Sequence, residues 1–477
     1  MNASAQSRIL AAAIVASCSV VGDAGAQAAD AGEAAFRALY KELIEINTTR
    51  SVGSCTQAAE AMRQHLLAAG YPGGDIQILA PPEAPNDGAL IAELHGKDKE
   101  AKPILLLAHI DVVEARREDW TRDPFKLVEE NGWFYARGAS DDKSMAAVFT
   151  DSLIRYRKEG YTPRRGIKLA LTCGEETAGA GLFDSVRWLV KTRPEVLDAA
   201  FAINEGATGD LDADGKPVAL QIQAGEKVYQ YFALEVSDPG GHSSLPKAGN
   251  AIVRLSAALA RLGAYSFPIK LNPVTRSYFE SMSKLVEPSI GADMRAVLQS
   301  PPDDSAAARL WQANPYWNAM LRTTCIVSMI NGGHAPNAIP QHVKANVNCR
   351  ILPDTLVAQV QAEIAKVIAD EAIKVTPVGE GGVQSPMPPL TEAILGPARK
   401  VAASIWPGVP IVPTMLPGYT DGKYLNPAGV PTYGLTGFFE NAEGNYEHGL
   451  NERIRVQSLM EGRRFLYEVV KLYADGE

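Results

Sequence analysis

Ile104-Leu105-Leu106-Leu107-Ala108 is apolar at every position and leads directly into His109-Ile110-Asp111. A strand with one solvated face alternates apolar and polar residues, so this run predicts a strand covered by helices on both faces. Strand-like and helix-like runs alternate on either side of it, from about residue 75 to residue 204. This alternation predicts an α/β fold whose central sheet is mostly parallel.

The pattern changes near Lys227, where Val228–Ser237 alternates like a half-exposed strand. Further strand-like runs and two amphipathic helices follow up to about residue 377, and the α/β alternation resumes at Pro389. We therefore predict a discontinuous α/β domain, residues 30–226 and 386–477, that carries an inserted α+β domain, residues 227–385. Residues 266–320 fit the inserted domain poorly and are predicted to be an insertion of helices and loops.

Length and composition fit a soluble globular protein of two domains, because 477 residues exceed what one ordinary core accommodates. The formal net charge is −9, and the sequence has no basic run. These features argue against a nucleic-acid partner. Beyond the amino terminus, no apolar stretch reaches the roughly 18 residues of a membrane span.

The amino terminus has the composition of a secretory signal. Arg8 precedes an apolar run from Ile9 to Val21, and small residues follow up to Ala29. Residues 1–29 are therefore predicted to be a signal peptide, and the mature protein is expected to be periplasmic or secreted. Val15-Ala16-Ser17-Cys18 also resembles a lipobox, so a lipid anchor on Cys18 is the alternative.

Four cysteines would remain after cleavage: Cys55, Cys173, Cys325 and Cys349. They contain no C-x-x-C pair, which disfavours a cysteine zinc site. One disulfide is possible in an oxidising compartment, and Cys325 and Cys349, on two neighbouring strand-like runs, are the candidate pair. Buried free thiols are the other interpretation.

Residues that bind metals follow one predicted strand end after another. His109 and Asp111 leave the central strand on the same side, so the carboxylate could hold the second ring nitrogen of the histidine. Glu175-Glu176 and Glu205 follow the next two strands. Ligands in α/β folds bind beyond the carboxyl ends of strands, where these loops converge.

Two further segments add Asp141-Asp142-Lys143, at the start of a helix, and His448 near the carboxyl terminus. Each segment alone has a structural explanation, such as a helix N-terminus or a surface carboxylate pair. Together, histidines and carboxylates without thiolates suit zinc or another first-row divalent ion, and a bridging carboxylate suits two ions.

These segments, in this order, resemble the M20 family of metallopeptidases along nearly the whole mature chain. The resemblance implies a dizinc peptidase domain, with Co²⁺ or Mn²⁺ as alternatives to Zn²⁺, in which Asp141 bridges the metals. It further implies that His109 and Glu205 complete one site, Glu176 and His448 complete the other, and Glu175 is the general base. Asp111 would orient His109.

The inserted domain also resembles that family, as its lid and dimerisation domain. His242, within Gly240-Gly241-His242-Ser243-Ser244, would reach the partner subunit of a homodimer and polarise the scissile carbonyl. Asn337 and Arg350 match contacts to a substrate carboxylate, for which an arginine fork is suited. Thr420, within Gly418-Tyr419-Thr420-Asp421, matches a substrate-pocket loop.

The resemblance implies hydrolysis of an amide bond next to a free α-carboxylate. The expected reaction is release of a C-terminal amino acid from small peptides. The alternative is an N-acyl-amino-acid amidohydrolase. A non-catalytic binding protein on the same fold is a third interpretation, which predicts damage to the ligand set, and none is visible in the sequence.

Overall fold

We describe the chain from a computed structural model, which covers residues 32–177, 183–245, 249–379 and 381–476. The predicted signal peptide and Cys18 lie outside these residues. The described helices are α1 (Glu33–Glu45), α2 (Cys55–Ala68), α3 (Lys143–Lys158), α4 (Ser185–Thr192), α5 (Pro194–Leu197), α6 (Ala251–Ala264), α7 (Pro273–Met282), α8 (Pro288–Ala296), α9 (Asp304–Ala313), α10 (Pro315–Leu321), α11 (Val357–Ile368), α12 (Glu392–Ile405), α13 (Gly422–Leu425) and α14 (Val456–Asp475).

Nineteen strands accompany these helices in the described part of the chain. They are β1 (Ile76–Leu79), β2 (Ala89–Leu94), β3 (Ile104–His109), β4 (Val128–Glu130), β5 (Trp133–Tyr135), β6 (Ile167–Thr172), β7 (Phe201–Asn204), β8 (Gly209–Leu211), β9 (Pro217–Glu226), β10 (Val228–Ser237), β11 (Gly241–His242), β12 (Thr324–Gly332), β13 (Ala338–Ile339), β14 (His342–Ile351), β15 (Lys374–Val378), β16 (Ile411–Leu416), β17 (Thr432–Gly434), β18 (Phe439–Glu440) and β19 (Arg453–Arg455).

The main sheet confirms the predicted α/β fold. Its order is β1-β2-β6-β3-β7-β17-β9-β8-β18, with β16 beside β9, and the central strands β6, β3, β7 and β17 run parallel. Every residue of β3 is buried, because one core with α1, α2, α3 and α14 covers one face and another with α4 and α5 covers the other. The apolar run at 104–108 reflects this two-sided burial.

A second sheet lies between the two parts of the α/β fold in sequence. It is antiparallel, with the order β12-β14-β10-β15, and α6 and α11 pack on one face of it. After the exposed His342, the residues of β14 alternate between buried and half-buried, as expected when one face of a sheet is covered. Strand β12 forms an edge of this sheet.

Helices α7 to α10 form the predicted helical insertion. Their buried side chains form a core of their own that includes Ala219 of β9 and Val412 of β16. The insertion therefore packs against the main sheet rather than against the antiparallel sheet. In sequence, however, it lies between elements that belong with the antiparallel sheet. This packing places Tyr278 of α7 and Trp317 of α10 around the same cavity as Asp141 and Glu205.

The structure pairs Cys325 with Cys349, as predicted, across neighbouring strands β12 and β14. It also pairs Cys55 with Cys173, which we did not predict. This second disulfide joins the first residue of α2 to the loop that carries Glu175. Among the described residues, none of the helices combines the length and the apolar composition that a membrane span requires.

Candidate metal centre

The predicted ligands gather because their strands are parallel neighbours. In β3 and β6, His109 is in register with Thr172, so His109 and the Glu175-Glu176 loop leave the sheet at the same edge. Strand β7 lies on the other side of β3 and ends one residue before Glu205. The polar loops that follow these three adjacent strands therefore lie together at one edge of the main sheet.

Asp141 lies between the two histidines and presents a different oxygen to each. Its Oδ1 is 2.9 Å from His109 Nε2, and its Oδ2 is 3.1 Å from His448 Nε2. Glu205 Oε1 is 3.7 Å from His109 Nε2, and Glu176 Oε2 is 2.9 Å from His448 Nε2. The arrangement has two halves that share one carboxylate, as two metals with a bridging ligand require.

Asp111 contacts the opposite nitrogen of His109. The Asp111 backbone carbonyl is 3.1 Å from His109 Nδ1, and its carboxylate Oδ1 is 3.6 Å away. A proton on Nδ1 therefore leaves Nε2 free to bind a metal. The carboxylate is also anchored on its other side, because its Oδ2 accepts a hydrogen bond from the Glu176 amide at 3.2 Å.

The crowded ionisable groups at this edge fit a bound cation. Burial lowers the pKa of His109, but hydrogen bonds to Asp111 and Asp141 outweigh it and raise that pKa well above its ordinary value. Hydrogen bonds to Asp141 and Glu176 raise the pKa of His448 to about 10. Burial, reinforced by the charge of Asp141, raises the pKa of Glu205 well above its usual range. Divalent ions would balance these crowded carboxylates, so the residues fit a metal centre.

Glu175 is buried, and its Oε1 has no hydrogen-bond partner among the described residues. Burial raises its pKa well above the ordinary value, while the nearby charges of Lys423 and His109 oppose that shift. Ligand atoms of Glu175, His109 and Glu205 lie within 4.8 Å of one another, as do those of His109, Asp141 and Glu176. Geometry alone therefore does not separate a base from a ligand, and the role of Glu175 stays a prediction.

Glu452 is a supporting residue that we did not predict. Its Oε1 accepts hydrogen bonds from the Ser140 and Asp141 amides at 2.8 and 3.0 Å, and Oε2 accepts from the Gly138 amide and Arg137 Nη1. It is 1% exposed. One buried carboxylate therefore ties the loop of Asp141 to the loop of His448. The only signal in the sequence is an acid four residues after that histidine.

A basic and aromatic cluster lies near Glu175. Arg350 on β14 places its Cζ 5.0 Å from the Tyr229 ring centroid and 5.4 Å from that of Tyr419, while Nη1 is buried with no partner among the described residues. Lys423 Nζ lies 3.7 Å from the Tyr419 ring centroid. Burial raises the pKa of Tyr419 to about 12, with Glu175 adding to the shift and Arg350 opposing it. The charges of both the predicted base and the arginine therefore affect the pKa of Tyr419.

The remaining predicted residues lie outside this constellation. Thr420 is buried, and both its amide and its hydroxyl donate to Glu226, which favours holding the loop over contacting a substrate. His242 and Asn337 are exposed on the paired strands β11 and β13 and the turn before β13. In the described ranges, no hydrogen bond or ion pair links them to the metal-centre residues of the same chain.

Comparison with known proteins agrees with this geometry. The family described as "Peptidase family M20/M25/M40" matches residues 105–472. Human N-fatty-acyl-amino acid synthase/hydrolase PM20D1 is 30% identical over 388 residues, which cover 79% of this chain and 75% of the human protein. Probable carboxypeptidase S-like 2 of Dictyostelium discoideum is 26% identical over 407 residues, 80% and 74% of the two chains.

Solved structures share the fold. The M20 family metallo-carboxypeptidase Sso-CP2 from Sulfolobus solfataricus superposes with a TM-score of 0.63 at 18% identity, covering 92% of this chain and 99% of that one. M20 proteins form a family of dinuclear metal-binding hydrolases. The predicted fold and enzyme class are thereby confirmed, and the interpretation as a non-catalytic binding protein is set aside. The chain belongs to the M20 peptidase family and is a hydrolytic enzyme of the metallopeptidase and amidohydrolase kind.

Proposed function

We propose that the protein uses two divalent metal ions, with Zn²⁺ the first choice, to hydrolyse an amide bond next to a free α-carboxylate. His109, Asp141 and Glu205 would hold one ion, and Asp141, Glu176 and His448 the other. The observation that carries the proposal is the position of Asp141, with one carboxylate oxygen facing each histidine. Bound there, the ions would supply Lewis acidity for the amide carbonyl and the attacking water.

The residues of the chain would supply the proton transfers. Glu175 accepts a proton from the attacking water and passes it to the leaving amine nitrogen, so the products are a carboxylate and a free amine. Burial and a raised pKa suit a carboxyl group that must both accept and return a proton. Asp111 and Glu452 are positioning residues, because one contacts His109 and the other fixes the loop of Asp141.

Arg350 is the proposed site for the α-carboxylate of the substrate. Its buried Nη1 has no partner among the described residues and so has a hydrogen bond to give, and the Tyr229 and Tyr419 rings hold the guanidinium in place. A carboxylate bound there would order the amino-acid half of the substrate on the Glu175 side of the metals. Lys423, beside Tyr419, adds a second positive charge on that side.

We expect Arg350→Met to lower kcat/KM for substrates with a free α-carboxylate by about 10-fold to 100-fold, the effect of losing a hydrogen bond to a charged group. The same variant should leave hydrolysis of the matching C-terminal amide almost unchanged. Lys344→Met is the matched control, because Lys344 lies on the same strand and pairs with Glu235 at 2.9 Å. Equal losses on both substrates would show that Arg350 acts only structurally.

Two kinds of substrate, which differ in the acyl part of the scissile amide, are compatible with this reaction. Release of a C-terminal amino acid from a small peptide is the first candidate, in keeping with the carboxypeptidase S-like relative. Removal of an N-acyl group is the second, because the PM20D1 relative is named for hydrolysis of N-fatty-acyl amino acids. Product analysis on a blocked dipeptide and an N-acyl amino acid with the same terminal residue would separate the two.

We also propose that the unit 227–385 is a lid and dimerisation domain. Strand β12 is an edge strand on which Ile326, Met329 and Ile330 are each more than half exposed. Exposed apolar edge strands favour pairing with another chain. Pairing of this kind is the proposed basis of the homodimer. It would leave His242 available to the active site of the partner subunit, where it would donate to the carbonyl oxygen.

Mixing two inactive variants tests this arrangement. Glu175→Gln and His242→Ala homodimers should each be nearly inactive, and equal amounts, dissociated and reassociated, should recover about a quarter of wild-type activity, because each mixed dimer has one intact site. Glu175→Gln mixed with Asp141→Asn is the control and should recover none, since both changes damage the site of their own chain. No recovery in the first mixture would place His242 outside the partner site.

We propose, finally, that the protein is exported. The two disulfides support an oxidising compartment, where such bonds persist. Cleavage after the predicted signal and lipidation of Cys18 remain the two routes that follow from the sequence.

A further inference from the structure

The connection between α1 and α2, residues 46–54, contacts the segment that carries Asp141. Lys143 follows Asp141 by two positions, and its Nζ donates a hydrogen bond to the Ile46 carbonyl at 2.7 Å. The Lys143 side chain is fully buried, so this bond is shielded from water. The start of α3, and with it the shared carboxylate of the proposed metal centre, is therefore tied to residues 46–54.

The same connection contacts the segment that follows His109. Val112 comes directly after Asp111, the residue that contacts the histidine. The Val112 amide donates to the Thr48 carbonyl at 3.4 Å, and Thr49 forms an isolated parallel bridge with Val112. Two of the segments that carry proposed ligands are thus bonded to one short stretch of chain.

The third contact is covalent. Cys55, which follows this connection and begins α2, forms a disulfide with Cys173. Cys173 lies two positions before Glu175 and three before Glu176, and both cysteines are buried. Helix α2 packs into the core that covers one face of the main sheet. The disulfide therefore joins the loop of the proposed base to an element that is anchored in the core.

Few other contacts hold this loop. Cys173 exchanges two hydrogen bonds with Ser185, since its amide donates to Ser185 Oγ and its carbonyl accepts from the Ser185 amide, both at 2.8 Å. Beyond Cys173, the backbone of Glu175 and Glu176 makes one hydrogen bond to another element within the described ranges, from the Glu176 amide to Asp111 Oδ2 at 3.2 Å. The positions of both carboxylates therefore depend on how firmly Cys173 is held.

We propose that the Cys55–Cys173 disulfide is a positioning element of the active site. It fixes the Glu175-Glu176 loop relative to the other metal-binding segments, so the protein reaches full activity only after this bond has formed. Its formation removes two electrons and two protons from the cysteine pair, which a disulfide such as oxidised glutathione accepts as it becomes two thiols. An exported protein meets such conditions in an oxidising compartment. The inference rests on the proposed function and adds to it a dependence on oxidation.

Cys55→Ala/Cys173→Ala tests this role directly. The freed loop should weaken Zn²⁺ binding, measured by competition with a coloured chelator, and lower kcat, each by about 10-fold to 100-fold, the usual effect of losing a group that orients a ligand. Hydrogen exchange of the metal-free protein is a readout independent of activity. The Glu176 amide, bonded to Asp111, should exchange at least about 10-fold faster than in the wild type. Cys55→Val/Cys173→Ala, which fills more of the buried space, should show the same losses.

The oxidation state of the natural pair gives a second test. In Cys325→Ala/Cys349→Ala, Cys55 and Cys173 are the cysteines that remain after the predicted signal. This variant is prepared with its thiols reduced, and oxidised glutathione is then added. As the thiol count per chain falls by two, Zn²⁺ affinity and kcat should rise by about 10-fold to 100-fold. The same treatment of Cys55→Ala/Cys173→Ala should change neither quantity.

Leu66→Ala is the matched control for lost stability, because Leu66 is fully buried on α2 and its truncation costs about as much stability as the loss of a disulfide. At temperatures where it stays folded, this variant should keep the Zn²⁺ affinity and kcat of the wild type. Equal losses in Leu66→Ala would overturn the inference, since the disulfide would then contribute only general stability.

Two further results would overturn it: wild-type Zn²⁺ affinity and kcat in both variants that lack the disulfide, and no gain when the reduced pair is oxidised. Failure of the oxidised, metal-loaded wild-type protein to hydrolyse any peptide or N-acyl amino acid would instead overturn the proposed function. Zn²⁺ affinity and hydrogen exchange would still test the inference in that case, because neither measurement needs a substrate.

Discussion

Glu175→Gln is expected to lower kcat for amide hydrolysis by about 10²-fold to 10⁴-fold, the range found when a general base is removed. Glutamine has nearly the shape of glutamate but cannot accept and return a proton. The Oε1 atom of Glu175 has no hydrogen-bond partner among the described residues, so the amide breaks no bond at that atom. The fold should therefore survive, and the loss should appear in kcat rather than in protein yield.

Metal content separates the two roles that geometry allows for Glu175. If Glu175 is the base, the glutamine variant should bind metal as the wild-type protein does, measured by elemental analysis after dialysis. If it is a ligand, as its closeness to His109 and Glu205 also permits, metal content should fall together with activity. Wild-type kcat in a fully substituted variant would remove Glu175 from the mechanism.

Asp141→Asn is expected to lower kcat/KM by at least about 10³-fold, because the metals contribute several kcal/mol to the transition state and each tenfold change corresponds to about 1.4 kcal/mol. Asp141 is the residue that faces both histidines, at 2.9 and 3.1 Å, so both halves of the site should weaken. Elemental analysis should find a lower content of both metal ions per chain, whereas Glu205→Gln should chiefly lower the content of one.

Asp184→Asn is the matched control for this variant. Asp184 is also buried, but it caps α4 by accepting a hydrogen bond from the Arg187 amide at 2.9 Å. Asparagine caps helices about as well as aspartate, so metal content and activity should stay close to wild type. Normal metal content in Asp141→Asn would contradict the assignment of Asp141 as the shared ligand.

Much of the fold could be predicted from local patterns. The run at 104–108 predicted a strand buried on both faces, and the structure buries all of β3. The alternating segment 228–237 predicted a half-exposed strand with the bounds that β10 has. The carboxyl ends of parallel strands lie at one edge of the sheet, so His109, Glu176 and Glu205 could be grouped there before their distances were known.

Contacts between distant parts of the sequence could not be predicted in this way. Glu452 bonds the Asp141 amide across 311 positions, and Cys55 pairs with Cys173 across 118. Neither contact leaves a periodic pattern, because each depends on how two loops meet after the sheet has formed. The packing of α7 to α10 on the main sheet is of the same kind, since the spacing of apolar residues predicts a buried helix face but not which surface covers it.

Metal dependence tests the central claim most directly. The protein is treated with a chelator, its residual metal is measured, and Zn²⁺ is then added in steps while the free amino acid released from a blocked dipeptide or an N-acyl amino acid is quantified. We predict that activity is lost on chelation and returns in full with about two equivalents of metal per chain. Full activity in protein freed of metal would contradict the account.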